Sequence, residues 1–244
     1  MNKSLLTLIF IIITVSAAFS QIKLQAGIGG GVAIPSSDYA GSTLEYYSGT
    51  KYGLSTGYNI AGKFRVNLLP ISITGTVDYS NFSNSGESEP GKGKVDISQS
   101  IVSIKVGPEY QINIPAAPLT PYIWGNIAYN SISGETKFNG VSEVPSGNYD
   151  VKAASRFGFG LAGGVLINIS RFLELDIGLQ YNWVNPIGKE FEDTDPNKDA
   201  RIDSYLTLND EKDPAFEPDN KEHFTENNRS INTFNIIVIL MVGL

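Results

Sequence analysis

The stretch Leu173-Glu-Leu-Asp-Ile-Gly-Leu-Gln-Tyr-Asn-Trp183 decides the architecture. Leu173, Leu175, Ile177, Leu179, Tyr181 and Trp183 fall on one face, and Glu174, Asp176, Gly178, Gln180 and Asn182 on the other. A two-residue period is strand geometry, because successive side chains of a β-strand point to opposite sides. The apolar face carries no charge, while the polar face mixes carboxylates with small and amide residues.

The same alternation spreads outward in both directions. Upstream, Phe157, Phe159, Leu161, Gly163, Val165 and Ile167 oppose Arg156, Gly158, Gly160, Ala162 and Gly164. Downstream, Phe234, Ile236, Val238, Leu240, Val242 and Leu244 oppose Thr233, Asn235, Ile237, Ile239, Met241 and Gly243. Residues 22–34, 54–66, 71–79, 102–110 and 123–129 alternate likewise, which predicts eight strands in all. The connections near 67–70, 111–119 and 168–172 are short, whereas those near 35–51, 82–96, 131–152 and 185–229 read as long polar loops. Short and long connections in turn predict an antiparallel up-and-down meander with its long loops on one rim and both termini on the other. A loop hairpin at Ser204–Leu208 would raise the strand number to ten.

Alternation alone leaves two eight-stranded barrels open, a soluble one with an apolar lumen and a transmembrane one with an apolar exterior. Three features favour the transmembrane barrel. No apolar face holds a charged residue, as lipid demands, since a charge at mid-bilayer costs about 2–4 kcal/mol. The polar faces are mostly Gly, Ala, Ser, Thr and Asn, which suit a narrow lumen better than a wet exterior. Tyr52, Tyr79, Tyr129, Phe157, Tyr181, Trp183 and Phe234 gather near the loop-side strand ends and Tyr110 at the turn side, as interfacial girdles do. The predicted fold is an all-β, eight-stranded antiparallel up-and-down transmembrane β-barrel with long extracellular loops.

The first residues agree with an envelope destination. Lys3 precedes an apolar run from Leu5 to Val15, and Ala18-Phe19-Ser20 supplies the small residues of a signal-peptidase site. The run is about 16 Å long as a helix, too short for a hydrocarbon core of about 30 Å. Residues 1–20 are therefore read as a signal peptide cleaved near Ser20, and 21–244 as one barrel domain of the cell outer membrane. The 244 residues contain no Cys, which excludes a disulfide framework, a thiolate metal site, a cysteine nucleophile and a lipid-modified N-terminal cysteine. A net charge of −7 argues against nucleic acid as a partner.

The signal peptide, Gly107-Pro-Glu-Tyr110, Thr120-Pro-Tyr122, Leu173–Leu179 and the terminal strand together resemble the small outer-membrane β-barrel families of Gram-negative bacteria. These are the OmpA/OmpX/OmpW type and the related PorT-like outer membrane β-barrel domain. Leu244 departs from the terminal Phe frequent in such barrels. The resemblance implies architecture rather than one activity, because the group includes adhesins, small-molecule channels, secretion accessories and a few lipid-modifying enzymes.

The lumen-facing charges are predicted to be Lys23, Lys63, Arg65, Lys105 and Arg156 against Asp78, Glu109, Glu174 and Asp176. Eight strands leave an interior that side chains just fill, so near-balanced charges predict a salt-bridged polar core rather than an open pore. Catalytic signals are weak. Gly158-x-Gly160-x-x-Gly163 copies a dinucleotide fingerprint but lies within a strand with no following helix. The single histidine, His223, is in the longest loop, far in sequence from any strand-borne serine.

Residues 185–229 hold thirteen acidic residues against six basic ones, the whole charge imbalance of the chain. Within them Asp193, Asp195, Asn197, Asp199 and Asp203 approach the oxygen-ligand spacing of a calcium loop, although Lys198 replaces the turn glycine and Ser204 the bidentate Glu. No other cofactor is expected. Expected partners are outer-membrane lipid and lipopolysaccharide, with extracellular or envelope proteins at the loops. Tyr39, Tyr46 and Tyr47 are candidates either for partner contact or for packing on neighbouring loops. The leading functional expectation is a non-enzymatic surface or envelope protein, and the alternative is a narrow porin-like channel or carrier for small solutes.

Overall fold

The computed structural model describes residues 23–68, 71–115, 117–192, 203–217 and 225–243. The signal peptide read at 1–20 lies outside the described residues. The strands are β1 (Lys23–Ser36), β2 (Gly57–Asn67), β3 (Ile71–Glu89), β4 (Lys92–Gln111), β5 (Leu119–Asn139), β6 (Gly147–Asn168), β7 (Leu173–Ile187) and β8 (Asn232–Gly243). Each pairs antiparallel with its sequence neighbour, and β1 pairs with β8, so the sheet closes into a barrel of eight strands. Closure leaves no edge whose amide groups would go unpaired in hydrocarbon. The loop hairpin considered at Ser204–Leu208 is instead a short helix, Asp203–Leu206.

The alternation has the predicted sense. Outward-facing Ile28, Ile60, Val77, Ile104, Ile127, Leu161 and Leu240 are exposed, whereas Lys63, Arg65, Lys105, Glu109 and Asp176 are buried inside. Above this apolar band runs a ring of aromatics. Tyr58 lies 6.2 Å from Tyr79, Tyr129 lies 5.5 Å from Phe157, and Trp183 packs on Tyr181 at 4.7 Å. The Tyr79 hydroxyl is 2.9 Å from Ser100 Oγ, and the Tyr129 hydroxyl is 2.7 Å from Ser155 Oγ. Tyr52 does not belong to this ring. It is 2 % exposed beneath the loops, and Tyr58 occupies the girdle in its place.

The seam between β1 and β8 depends on glycine. Large inward side chains on β8, Ile237, Ile239 and Met241, pack with Ala61 of β2, and inward Gly27, Gly29 and Gly31 of β1 stand opposite them. A β-carbon at Gly29 would run into the Val238 carbonyl and come within 2.6 Å of Ile239 Cα. Only a residue without a side chain lets the two backbones approach this closely.

The expected long loops near 82–96 and 131–152 are strand instead. β3 and β4 continue to a tip between Glu89 and Lys92, and β5 and β6 continue to one between Asn139 and Gly147. The cause is an inversion of polarity with no change of phase. On β4 the outward residues Val102, Ile104 and Val106 meet lipid, but the next outward residues, Ser100, Ser98, Asp96 and Lys94, are polar. The inward face does the reverse: Ser103, Lys105 and Glu109 line the membrane part, and Ile101, Ile97 and Val95 line the part above it. The sheet leaves the bilayer there, so its outer face meets water and its inner face is covered by loops.

That inner face and the loops form a second core outside the membrane. It unites Tyr39, Tyr46, Tyr47, Leu54, Phe82, Val95, Phe138, Val184, Tyr205, Leu208 and Ile231. A short helix, Thr43–Tyr47, delivers Tyr46 and Tyr47; it starts with a reciprocal cap in which Ser42 Oγ accepts from the Glu45 amide and Glu45 accepts from the Ser42 amide. Tyr39 meets Phe82 edge-on at 5.2 Å, and Phe138 meets Tyr205 at 4.9 Å. Tyr39, Tyr46 and Tyr47 thus pack on neighbouring elements and are buried rather than offered to a partner.

Candidate functional site: the filled lumen and its cap

Residues two apart on a strand share a face, so Lys63 and Arg65 of β2 enter the lumen together, as do Glu174 and Asp176 of β7. Lys63 Nζ lies 2.6 Å from Asp176 Oδ2 and 3.0 Å from Glu109 Oε2. Arg65 reaches three carboxylates: Nε is 2.7 Å from Glu109 Oε1, Nη1 is 2.7 Å from Glu174 Oε1, and Nη2 is 3.1 Å from Asp176 Oδ2. The Nη1 group also donates to Gln25 Oε1 at 3.0 Å. A second pair, Lys105 with Asp78 at 2.6 Å, lies in the same lumen, where Lys105 also donates to Gln180 at 3.2 Å and Thr76 donates to Asp78 at 3.1 Å. Seven of the nine predicted lumen charges therefore sit in two buried, ion-paired groups.

Lys23 and Arg156 depart from that expectation. Lys23 is exposed at the turn-side end of β1. Arg156 lies at the level of the aromatic ring and turns toward the long loop. Its Nε and Nη2 clasp both carboxylate oxygens of Asp210 at 2.9 and 2.7 Å, and Nη1 reaches Glu190 at 3.0 Å. Asn185 adds a donor to Asp210 at 2.7 Å. Arg229 then holds the same loop by donating to the carbonyls of Leu208 and Asn209, with its guanidinium stacked 4.2 Å over the Tyr52 ring.

Sequence reasoning missed several members of these groups. Tyr122 and Trp124 alternate inward on β5, and Lys63 sits 4.7 and 5.7 Å from their ring centres. The Tyr122 hydroxyl donates to Asp176 Oδ1 at 2.8 Å. Space for that ring comes from the paired Gly164 and Gly178, where a β-carbon would fall 2.7 and 2.6 Å from the Tyr122 oxygen. A bulky pair on a polar face opposite glycines was the available signal. Asp210 and Arg229 had none, since they lie in a loop whose placement no periodicity fixes.

Of the proposed calcium ligands, Asp193, Asp195, Asn197 and Asp199 lie outside the described residues, as does His223. Asp203 opens the helix Asp203–Leu206.

A closed strand barrel with an apolar, aromatic-ringed exterior and an ion-paired interior is an integral outer-membrane β-barrel, with its short turns toward the periplasm and its tall rim outside the cell. The family model described as outer membrane protein beta-barrel domain matches residues 5–202, and the chain belongs to that family. No curated protein sequence matches it. Among solved structures it is similar to Neisserial surface protein A, at 14% identity and a TM-score of 0.47, over 91% of this chain and 96% of that one. It is also similar to Ail, the attachment invasion locus protein of Yersinia pestis, at 10% identity, a TM-score of 0.44, and coverage of 91% and 98%. OprG from Pseudomonas aeruginosa follows at 11%, 0.43, and 90% and 95%.

Proposed function

We propose that the protein is a non-enzymatic, non-conducting outer-membrane barrel whose extramembrane half is a recognition surface for extracellular or envelope partners. The observation that carries this reading is a double obstruction. The lumen is filled by the Lys63–Arg65–Glu109–Glu174–Asp176 cluster with Tyr122, and the outer mouth by the packed core around Tyr46, Phe138 and Tyr205. Among the described residues the gaps beneath the cap are small, about 10 Å³ between Tyr46, Tyr52, Gln99 and Arg229 and about 20 Å³ beside Arg156, Glu190 and Asn209, each room for about one water. A channel for small solutes would have to displace both fillings. The projecting wall of β3 to β6 is held rigid by strand pairing outside and by the core within, which suits presentation of a fixed surface.

The test is conductance of the mature protein reconstituted in planar bilayers in 1 M KCl. No unitary steps above the bare-membrane background are expected. Reproducible steps that scale with protein insertion would overturn the reading in favour of the narrow channel.

A further inference from the structure

The outward face of the projecting wall carries a feature that the surface role above does not by itself require. Three strands contribute two rows of polar side chains in register: Ser83 of β3, Ser98 of β4 and Glu135 of β5 form one, and Ser85, Asp96 and Lys137 the other. The short side chains of β3 and β4 make a floor, and the longer Glu135 and Lys137 make a wall. Between them is a groove of about 420 Å³. That lies within the ~300–1,000 Å³ of ligand-binding clefts.

Its chemistry is that of hydroxyl recognition. Ser85 donates to Asp96 Oδ1 at 2.5 Å, and Lys94 pairs with the same carboxylate at 2.9 Å. These contacts and the nearby Lys137 hold the Asp96 carboxyl below its ordinary range, so it stays an ionised acceptor. Glu135 and Lys137 form no ion pair among the described residues, which leaves one free acceptor and one free donor facing the groove. With Lys94 counted, the charges at the groove balance, Asp96 and Glu135 against Lys94 and Lys137. With Asp96 and Ser85 engaged by one another and by Lys94, a vicinal diol is matched by the Glu135 carboxylate that accepts, the Lys137 ammonium that donates and the Ser98 hydroxyl across from Glu135.

Height selects the source of such a ligand. Ser98 is two residues beyond Ser100, the residue that the girdle hydroxyl of Tyr79 touches, so the floor begins about 7 Å past the aromatic ring along the strand. Girdle aromatics themselves sit at the headgroup level of a bilayer, so the groove stands just above that level, where the saccharide of an outer-leaflet glycolipid extends. We propose that the groove binds a sugar of the membrane's own outer-leaflet glycolipid, seating the headgroup saccharide against β3 to β5. This deepens the recognition role proposed above by assigning one of its surfaces a ligand class. It is tested by binding rather than conductance, so either result stands without the other.

The probe is the deacylated, lipid-free core oligosaccharide of lipopolysaccharide, titrated into the mature protein in detergent micelles. Maltohexaose serves as a saccharide that does not come from the membrane. Two variants alter the groove from the solvent side: Glu135→Ala with Lys137→Ala, and Ser98→Phe, which fills the floor. Folding of each is verified by migration on an unboiled gel. The wild-type chain is expected to bind the core oligosaccharide, and each folded variant at least tenfold more weakly. Maltohexaose is expected to bind at least tenfold more weakly than the core oligosaccharide. Absence of wild-type binding, unchanged affinity in a folded variant, or equal affinity for maltohexaose overturns the proposal.

Discussion

Replacing Arg65 by Met removes the hub of the lumen cluster at nearly constant side-chain bulk. Arg65 is fully buried and within 3.1 Å of Glu109, Glu174 and Asp176, so its loss leaves Lys63 alone against three enclosed carboxylates. Deleting one partner of a buried pair costs about 3–5 kcal/mol, because the remaining charge keeps its desolvation penalty without its attraction. That is a large share of the ~5–15 kcal/mol that holds a typical domain folded. The double variant Arg65→Met with Glu109→Gln restores the wild-type charge balance of the cluster and leaves an amide that donates to a neighbouring carboxylate. It is expected to recover more than half of the loss. Urea unfolding in micelles at pH 7.5, followed by fluorescence, measures both. Trp124 reports on the cluster because Lys63 lies 5.7 Å from its ring, and a Trp183→Phe background silences the girdle tryptophan. A loss below about 1 kcal/mol in the single variant, or a double variant less stable than the single, would refute the account of the lumen as mutually compensated charge.

Gly29→Ala is expected to cost about 1–3 kcal/mol, because its β-carbon meets the backbone of β8 and the strands must separate. Gly75→Ala is expected to fall within about 0.5 kcal/mol of wild type, since its β-carbon would find nothing nearer than the Lys105 carbonyl at 3.6 Å. Urea midpoints of the pair decide, and equal values would refute the steric account of the seam. Alkaline titration tests the cap. Burial raises the Tyr46 hydroxyl to about 12, and burial raises Tyr39 and Tyr52 as well. A phenol whose folded value is raised gives stability that is complete below its unfolded value near 10 and declines as pH rises through the folded one. The cap is thus expected to lose about 1.4 kcal/mol per pH unit for each such tyrosine above pH ~10. Tyrosinate absorbance should appear in at least two phases, and a single phase near pH 10 would show the cap tyrosines to be solvated.

The membrane half of this barrel was legible because lipid imposes one rule on every strand, apolar outward, and the rule leaves an unbroken period of two in Leu173–Trp183 and Phe234–Val242. The half above it obeys the opposite rule in the same phase, so a reading that followed apolar positions lost the strand where the solvent changed. The join is visible in retrospect as adjacent Ile101 and Val102, one ending the inward apolar row and the other beginning the outward one. Wherever two apolar residues abut between oppositely alternating runs, a strand of this kind is crossing the bilayer surface, and the runs on both sides belong to it. The lumen charges on the membrane strands could be placed because strand phase alone assigns them inward. Their partners could not, since pairing across a lumen depends on shear and tilt, which no single strand encodes. Arg156 shows where phase stops being enough. It points inward like Lys105, yet the loop that reaches it brings Asp210, and this contact ties a loop of no periodicity to a strand of strict periodicity. If the recognition role proposed above holds, partner contact is to be sought first on the strand wall of β3 to β6 and on the loop segments that such clasps attach to it.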